Sequence, residues 1–304
     1  MSSYFDDKAP WKNIKTETID GQVMVKIPKF YVKYGTVSGR PTWWVSDVAA
    51  TGFEVHPAFL RKGQEMSCFY IGAYASTAGA NNGTTKATSV AGNSVVSVQW
   101  QNLVKCCAAR GTGWHCVNIY EHMAIALLML IEMGGPDMQT LLGTGTEVNY
   151  GATSNNGSKS NWRGIYSLWG HNWEACTGLY VNAGTLQVWD ANGNENKVTT
   201  SATIPTNFSA TFWEGFATAN SGSGNTKYDL RYLFLPTAAA ASEAASATAD
   251  AAWSNTSADR ICWIGGYSDD GSHCGMFCFA LNRDASFSGV GSGVRLAKYG
   301  DNLA

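Results

Sequence analysis

The chain has 304 residues, of which 14% are charged, against about 25% in an average soluble protein. The formal net charge of −2 excludes the strong positive field that attracts nucleic acid or an anionic membrane surface. No apolar run approaches the roughly 18 residues of a membrane-spanning helix, and the first residues lack the basic and apolar regions of a secretory signal. We therefore expect synthesis in a cytoplasm, no membrane insertion and no nucleic-acid partner.

Glycine and aromatic residues are abundant, with 33 Gly, 12 Trp and 13 Tyr. This composition indicates a turn-rich fold whose surface binds through aromatic contacts and hydrogen bonds rather than through charge. Because thiols stay reduced in a cytoplasm, the eight cysteines are predicted to be free and mostly buried.

The first 60 residues are predicted to form a strand-rich extension. Residues 22–34 alternate apolar and polar side chains, and Pro28 interrupts the alternation, which predicts two short strands or one kinked edge strand. A second strand region with a turn covers residues 43–53. Beyond residue 60, residues 69–74 indicate a buried strand, and residues 77–95 indicate a long polar loop.

Two helices are predicted next. The first covers residues 98–109, with apolar side chains at helical spacing and Gly111 as the stop signal. The second begins after Asn118 as N-cap, with Glu121 as its capping-box partner, and ends at Gly134. Its side chains are apolar almost all round, so it should be buried.

The second half of the chain is predicted to be mainly short strands. Residues 177–181 and 186–190 form an expected hairpin, and residues 230–235 form an expected strand. The Ala/Ser-rich residues 238–252 are expected to be one short helix or a mobile insert.

Residues 260–298 are the most informative stretch. Glycines punctuate it, and small, polar and aromatic residues lie between them. Within it, residues 275–281 have a strand pattern. Phe277, Phe279 and Leu281 share one face, while Met276, Cys278 and Ala280 share the other, which should lie close to the irregular loop.

This stretch resembles the variable region of the target proteins of diversity-generating retroelements. The resemblance rests on Gly265-Gly266, then Gly275-Met276-Phe277, and a closing Gly293-Val294-Arg295-Leu296. An upstream segment, residues 170–174 (GHNWE), resembles the Gly-Asn-x-Trp-Glu motif of the same fold branch. Between residues 264 and 294, Met276 alone lies outside the set of residues that mutagenesis of template adenines reaches in codons ending in a pyrimidine.

The resemblance implies an α+β protein with a C-type-lectin-like fold, in the branch of formylglycine-generating enzymes, with two helices and short antiparallel strands. We expect a strand-rich extension over residues 1–60 and a ligand-binding domain over residues 61–304, with its variable region at about 260–297. The expected role is host recognition by a phage or prophage tail protein. The partner would be a protein or glycan receptor on a target cell, and the protein would form a homotrimer.

The candidate ligand-binding residues combine aromatic and polar groups, as antibody binding sites do. They are Tyr267, Ser268, Asp269, Asp270, Ser272, His273, Cys278, Ala280, Asn282, Arg283, Asp284 and Phe287. No catalytic residue, metal or cofactor is predicted.

Three alternatives remain open. Cys274 and Cys278 lie where formylglycine-generating enzymes carry a reactive cysteine pair, but the Arg-Tyr-Arg run of those enzymes is absent and the spacing is one residue short. Metal ligands are conceivable in two places: zinc at Cys106, His115, Cys116 and His122, or calcium at residues 190–194. The third alternative is a structural virion protein without a ligand.

Overall fold

The computed structural model describes residues 3–150 and 153–300. The fold is mixed, with many short strands and few helices. The α-helices of the described chain are α1 (Trp100–Ala108), α2 (Ile119–Met133) and α3 (Gln139–Leu142). The strands are β1 (Lys15–Ile19), β2 (Gln22–Pro28), β3 (Tyr31–Val37), β4 (Arg40–Ser46), β5 (Glu54–Val55), β6 (Leu60–Arg61), β7 (Gln64–Glu65), β8 (Cys68–Ala75), β9 (Trp114–Cys116), β10 (Trp173–Asn182), β11 (Thr185–Trp189), β12 (Lys197–Thr199), β13 (Thr211–Phe216), β14 (Asn220–Ser221), β15 (Tyr228–Asp229), β16 (Pro236–Ala239), β17 (Ala251–Ser254), β18 (Arg260–Ile264), β19 (Phe279–Arg283) and β20 (Ser292–Tyr299).

The long helix α2 has the ends that the sequence predicts. The Asn118 side chain accepts a hydrogen bond from the Glu121 N–H, and the Glu121 carboxylate accepts one from the Asn118 N–H, each at 3.0 Å. Gly134 ends the helix in the left-handed conformation (φ 74°). Helix α1 also lies within its predicted range.

One large sheet of 13 strands organises the described chain. Its main path runs β1-β2-β8-β20-β10-β18-β19-β17-β13-β16, and β9, β11 and β12 pair with strands of this path. The pairs β10–β20 and β17–β19 are parallel, so the expectation of antiparallel strands alone was incomplete. The last strand, β20, lies between β8 and β10, which places the C-terminal motif at the centre of the sheet.

The N-terminal residues are part of this sheet. Strand β2 pairs with β8, with Met24 opposite Gly72 and Ile27 opposite Phe69. Met24 and Ile27 point to opposite faces of β2, and both are fully buried. Other parts of the protein therefore pack against both faces of this strand. The predicted boundary at residue 60 therefore does not coincide with a break in the sheet. Strands β3, β4 and β5 form a separate small sheet.

Two buried clusters lie on the two faces of the main sheet. The larger includes helix α2 and takes Phe277, Phe279 and Leu281 from the predicted core face. The smaller includes Trp100 and Leu103 of helix α1, and it takes Ala280 from the opposite face. Within β19 the alternation therefore separates the two faces as predicted. Before the strand the prediction was wrong, because Met276 packs in the larger cluster and not on the face of Ala280.

Two predicted elements differ from the structure. Residues 230–235 are not a strand, because Leu230–Tyr232 forms a 3₁₀ turn in which the Asp229 carboxylate accepts the Arg231 N–H at 3.0 Å. Phe234 follows with a positive φ of 48°, which a strand cannot contain. The Ala/Ser-rich segment is neither a single helix nor featureless, since it contributes β16, a 3₁₀ turn at Glu243–Ala245, and β17.

None of the helices in the described part of the chain has the length and apolar character that crossing a bilayer requires.

Candidate functional site

The candidate site is a cavity over four neighbouring strands of the main sheet, in the order β10-β18-β19-β17. Trp263 of β18 lies opposite Ala280 of β19. Asn282 is two residues beyond Ala280 and so shares its face. The small side chain of Ala280 leaves open space above the sheet at this point.

The cavity has a volume of about 320 Å³, within the usual range for a ligand site. Five of its thirteen lining residues are aromatic, and a carboxylate, an amide, a guanidinium and a hydroxyl add polar groups. The lining residues are Trp173, Trp253, Trp263, Tyr267, Asp270, Ala280, Asn282, Arg283, Phe287, Gly289, Val290, Gly291 and Ser292.

Main-chain hydrogen bonds hold the loop after β19. The first-turn N–H groups of helix α1 at Trp100 and Gln101 donate to the carbonyls of Phe287 and Ala285, each at 3.2 Å. The Trp100 indole N–H donates to the Cys262 carbonyl at 3.0 Å. Because the acceptors are carbonyl groups, these hydrogen bonds do not depend on which side chains occupy positions 285 and 287.

The turn before β19 is held from two sides. The buried Asp250 carboxylate accepts the Phe277 N–H at 2.8 Å and a hydrogen bond from the Gln139 side chain at 2.9 Å. The His122 ring of helix α2 lies 2.8 Å from the Met276 carbonyl. Burial raises the pKa of Asp250 well above its usual value, and burial lowers the pKa of His122 to about 4. His122 is therefore neutral near pH 7 and donates to that carbonyl.

Residues 265–273 form the rim of the cavity. Gly265 and Gly266 both have positive φ, and they turn the chain out of β18. The Asp270 carboxylate accepts the Tyr267 N–H at 3.0 Å, which closes a short 3₁₀ segment, Ser268–His273. Tyr267 also packs against Gly291, where a Cβ atom would lie 2.6 Å from the tyrosine ring.

Two charged groups of opposite sign line the cavity. Burial raises the pKa of Asp270 to about 6, although hydrogen bonds from the Tyr267 N–H and the Trp173 side chain, and the charge of His273, oppose this shift. The Arg283 guanidinium lies 4.6 Å from the Phe287 ring centre. Among the described residues, no carboxylate forms an ion pair with Arg283.

The structure brings together half of the predicted site residues. Those that line the cavity are Tyr267, Asp270, Ala280, Asn282, Arg283 and Phe287. Ser268, Asp269, Ser272 and His273 lie on the rim segment, where Asp269 is exposed and the His273 ring stacks on Phe212 at 5.0 Å. Asp284 is exposed at the end of β19 and accepts the Ser286 N–H at 2.8 Å.

Cys278 does not belong to the open face. Its side chain is 1% exposed, because the residues before β19 turn into the core rather than continuing the strand alternation. A ligand in the cavity cannot reach its thiol, so we leave Cys278 out of the site.

Three of the aromatic lining residues, Trp263 within the variable stretch and Trp173 and Trp253 outside it, were not among the predicted site residues. Trp173 begins β10 within the segment GHNWE, so a motif already marked its position but not its role. Trp253 lies on β17, which follows the Ala/Ser-rich segment, and no sequence signal connects it with the cavity. The rings of these two residues are nearly perpendicular (86°), with their centres 5.2 Å apart.

The structure gives little support to the cysteine-based catalysis and the metal sites that the sequence left open. None of the eight cysteines, all within the described residues, forms a disulfide, and all are buried. Burial raises the pKa of both Cys274 and Cys278, which disfavours reactive thiolates. The Nε2 atom of His115, one of the conceivable zinc ligands, lies 2.7 Å from the Glu121 carboxylate and so already has a partner within the protein. The described residues contain no cluster of three or more His, Cys, Asp or Glu side chains that could hold a metal.

No model of a known protein family matches the sequence, and no protein of curated function matches it. Matching solved structures include "Major Tropism Determinant U1 Variant", with 12% identity and a TM-score of 0.29 over 90% of this chain and 72% of that chain. "Major Tropism Determinant M1 Variant" has 11% identity and a TM-score of 0.30 over the same shares. "Major Tropism Determinant P3c Variant" has 12% identity and a TM-score of 0.29 over 96% of this chain and 85% of that chain.

Proposed function

We propose that this protein binds a receptor on a target cell surface through the cavity formed by residues 260–292 and their neighbours. It would act as the receptor-binding protein of a phage or prophage tail. The observation that carries the proposal is an aromatic cavity of about 320 Å³ at the sequence stretch that resembles a variable region. Binding needs no reacting group, and the buried cysteines offer none.

The frame of the cavity suits exchange of side chains. Main-chain bonds from helix α1 hold the loop at residues 285–287, and buried side chains outside the variable stretch hold the turn at residues 275–277. Different residues at Tyr267, Asn282 or Phe287 would thus change the contacts without moving the loops. This is the property that a retroelement-diversified binding face requires.

Several copies would strengthen such binding, because weak contacts presented together give high avidity. We therefore propose a homotrimer on the virion. Light scattering on the purified chain measures the oligomeric state.

Cell binding tests the proposal. We expect Tyr267→Ala and Phe287→Ala each to weaken binding of the labelled protein to its host cells about tenfold, as removal of a central aromatic contact does. Ser288→Ala is the matched control, since Ser288 is exposed in the same loop and does not line the cavity. Equal binding by all three variants would contradict the role of the cavity.

Diversification by a retroelement can be tested separately, from the sequence of the gene and its surroundings. Sequencing the locus should find a near-repeat of the segment encoding residues 260–297, differing at adenines, beside a reverse transcriptase gene. A locus without that repeat would refute diversification and leave the binding role standing.

A further inference from the structure

Trp173 and Trp253 form an aromatic corner in the wall of the cavity. Both side chains are half-buried and line the cavity, so part of each ring remains within reach of a ligand. The two rings are nearly perpendicular (86°), and their centres lie 5.2 Å apart. Tyr267 and Phe287, also half-buried, add two further rings to the lining. Rings set at angles around one space are suited to a cation, because their faces carry partial negative charge.

A carboxylate lies beside this corner. The half-buried Asp270 side chain lines the same cavity and accepts a hydrogen bond from the Trp173 side chain. It also accepts the Tyr267 N–H at 3.0 Å, so two donors of the protein already use it. A primary ammonium brings three donors that each need an acceptor, whereas a quaternary ammonium brings none. Aromatic rings beside an already hydrogen-bonded carboxylate therefore favour a quaternary ammonium.

Arg283 adds a positive charge to another part of the lining. Its side chain is exposed, and its guanidinium lies 4.6 Å from the Phe287 ring centre. No carboxylate of the described residues forms an ion pair with it, not even Asp270 in the same cavity. Because Arg283 would repel a ligand that carries only positive charge, the ligand should also carry an anion. A phosphate matches the donor geometry of a guanidinium.

Resting on the proposed function, we infer that the cavity binds a phosphocholine group at the surface of the target cell. The trimethylammonium lies in the corner of Trp173 and Trp253, beside Asp270. The phosphate pairs with the Arg283 guanidinium. As a diester the group is neutral overall, and its two charges match the two charges that line the cavity.

Small soluble compounds test this inference on the purified full chain. Glycerophosphocholine carries both charges, glycerophosphoethanolamine has a primary in place of the quaternary ammonium, and choline lacks the phosphate. We expect glycerophosphocholine to bind, and each of the other two to bind about three- to tenfold more weakly. Calorimetry and tryptophan fluorescence measure the affinities. The inference fails if glycerophosphocholine does not bind, or if either of the other two binds equally well.

Two variants separate the parts of the site. Arg283→Gln should weaken glycerophosphocholine about three- to fivefold, the effect of an exposed charge pair, and strengthen choline slightly because a repulsion is removed. Trp253→Leu keeps an apolar side chain but removes the ring, and it should weaken both ligands about tenfold. Arg283 is exposed, so its variant provides the test should Trp253→Leu fail to fold. Equal weakening of both ligands by Arg283→Gln would overturn the inference.

Arg40→Gln is the matched control for Arg283→Gln. Arg40 is exposed in the separate small sheet and does not line the cavity. Its substitution removes the same charge and should leave both affinities unchanged. If it weakens glycerophosphocholine as much as Arg283→Gln does, net charge rather than the cavity governs binding and the inference fails.

Cells and vesicles identify the source of the group and separate this inference from the proposed function. We expect glycerophosphocholine to compete with cell binding. Binding to vesicles of phosphatidylcholine but not of phosphatidylglycerol would assign the group to a lipid, and competition without vesicle binding would assign it to a glycan; both results support the inference.

Two results have opposite consequences for the two proposals. If Tyr267→Ala and Phe287→Ala weaken cell binding but glycerophosphocholine neither binds nor competes, the phosphocholine inference fails and the receptor-binding role stands. If those variants leave cell binding unchanged, the proposed function itself fails.

Discussion

Arg295 and Glu174 form a buried, bidentate ion pair that joins the two motifs of the sequence. The Nε–Oε2 distance is 2.9 Å and the Nη2–Oε1 distance is 2.6 Å, although 121 positions separate the residues. The guanidinium also donates to the carbonyls of Gly72, Ala73, Tyr166 and Ser167. The pair and these hydrogen bonds therefore connect β20, β10 and β8, on the side of β10 away from β18.

Breaking this pair should destabilise the fold strongly. We expect Arg295→Met and Glu174→Gln each to lower the free energy of unfolding by about 3–5 kcal/mol, because each leaves buried groups without partners. Arg295→Met should cost more, since four carbonyls also lose their donor. Urea unfolding of both single variants and the double variant measures this, and the double loss should be smaller than the sum.

The exposed pair Lys29–Glu65, with an N–O distance of 2.8 Å, provides the control. Glu65→Gln should change the unfolding free energy by less than about 1 kcal/mol. A similar small loss in Arg295→Met would contradict the structural role of the buried pair.

Gly275 should tolerate no side chain. A Cβ atom there would lie 1.9 Å from the Asp250 carboxylate, which holds the turn before β19. We expect Gly275→Ala to cost about 1–3 kcal/mol of stability, as overpacking does. It should also weaken cell binding, because the turn carries the rim of the cavity.

Gly135→Ala is the matched control for this substitution, since nothing lies within 4 Å of its added methyl group. Thermal unfolding compares the two variants. Equal melting temperatures would show that the turn adapts and that Asp250 does not determine its position.

Cell binding should depend on pH through Asp270. Its pKa is raised to about 6, chiefly by burial, so the carboxyl group is charged at pH 7 and mostly protonated at pH 5. Because the charged form accepts hydrogen bonds from a ligand more strongly, we expect affinity to fall between pH 7 and pH 5. Asp270→Asn should remove most of this dependence.

A control variant must show that the pH dependence of cell binding comes from Asp270 and not from a neighbouring ionisable group. Asp269, His273 and Tyr267 surround Asp270 on the rim, and Arg283 lines the same cavity. His273→Gln should retain the fall in affinity. If that variant loses it instead, Asp270 by itself does not account for the pH dependence.

Lowering the pH should affect folding stability in the opposite direction to its effect on cell binding. The native state binds the Asp270 proton more tightly than the unfolded state does, so this group's contribution favours folding at low pH. That contribution is lost as the pH rises from the ordinary value of 3.8 towards 6. Asp270→Asn should therefore flatten the unfolding free energy in this window.

The thiols should be inert in the folded protein. All eight are buried, and burial raises the pKa of Cys274 and Cys278. We expect iodoacetamide to label them slowly in buffer and rapidly in urea, with mass spectrometry as the measurement. Rapid labelling of native Cys274 or Cys278 would favour the oxidase alternative.

Much of the local structure follows from the sequence, because its signals are short-range. The capping box at Asn118 and Glu121 and the stop at Gly134 concern neighbours in the chain, and helix α2 begins and ends there. The alternation of Phe279, Ala280 and Leu281 likewise determines which side chains face the core. The turn residues Gly265 and Gly266 mark where β18 ends.

The site itself was only half predictable. Asn282 and Phe287 lie in the glycine-punctuated stretch, and the composition of that stretch indicated them as binding residues. Cys278 was misplaced, because a strand pattern cannot reveal that the turn before β19 enters the core.

By itself, the sequence determined the long helix, several strands and the stretch that forms the rim, since each depends on contacts between near neighbours. The tertiary structure alone decided that Trp173 and Trp253 complete the cavity and that Glu174 meets Arg295. These contacts join strands from distant parts of the chain through parallel pairing and side-chain packing. Such pairing depends on the register of the whole sheet, which no local pattern encodes.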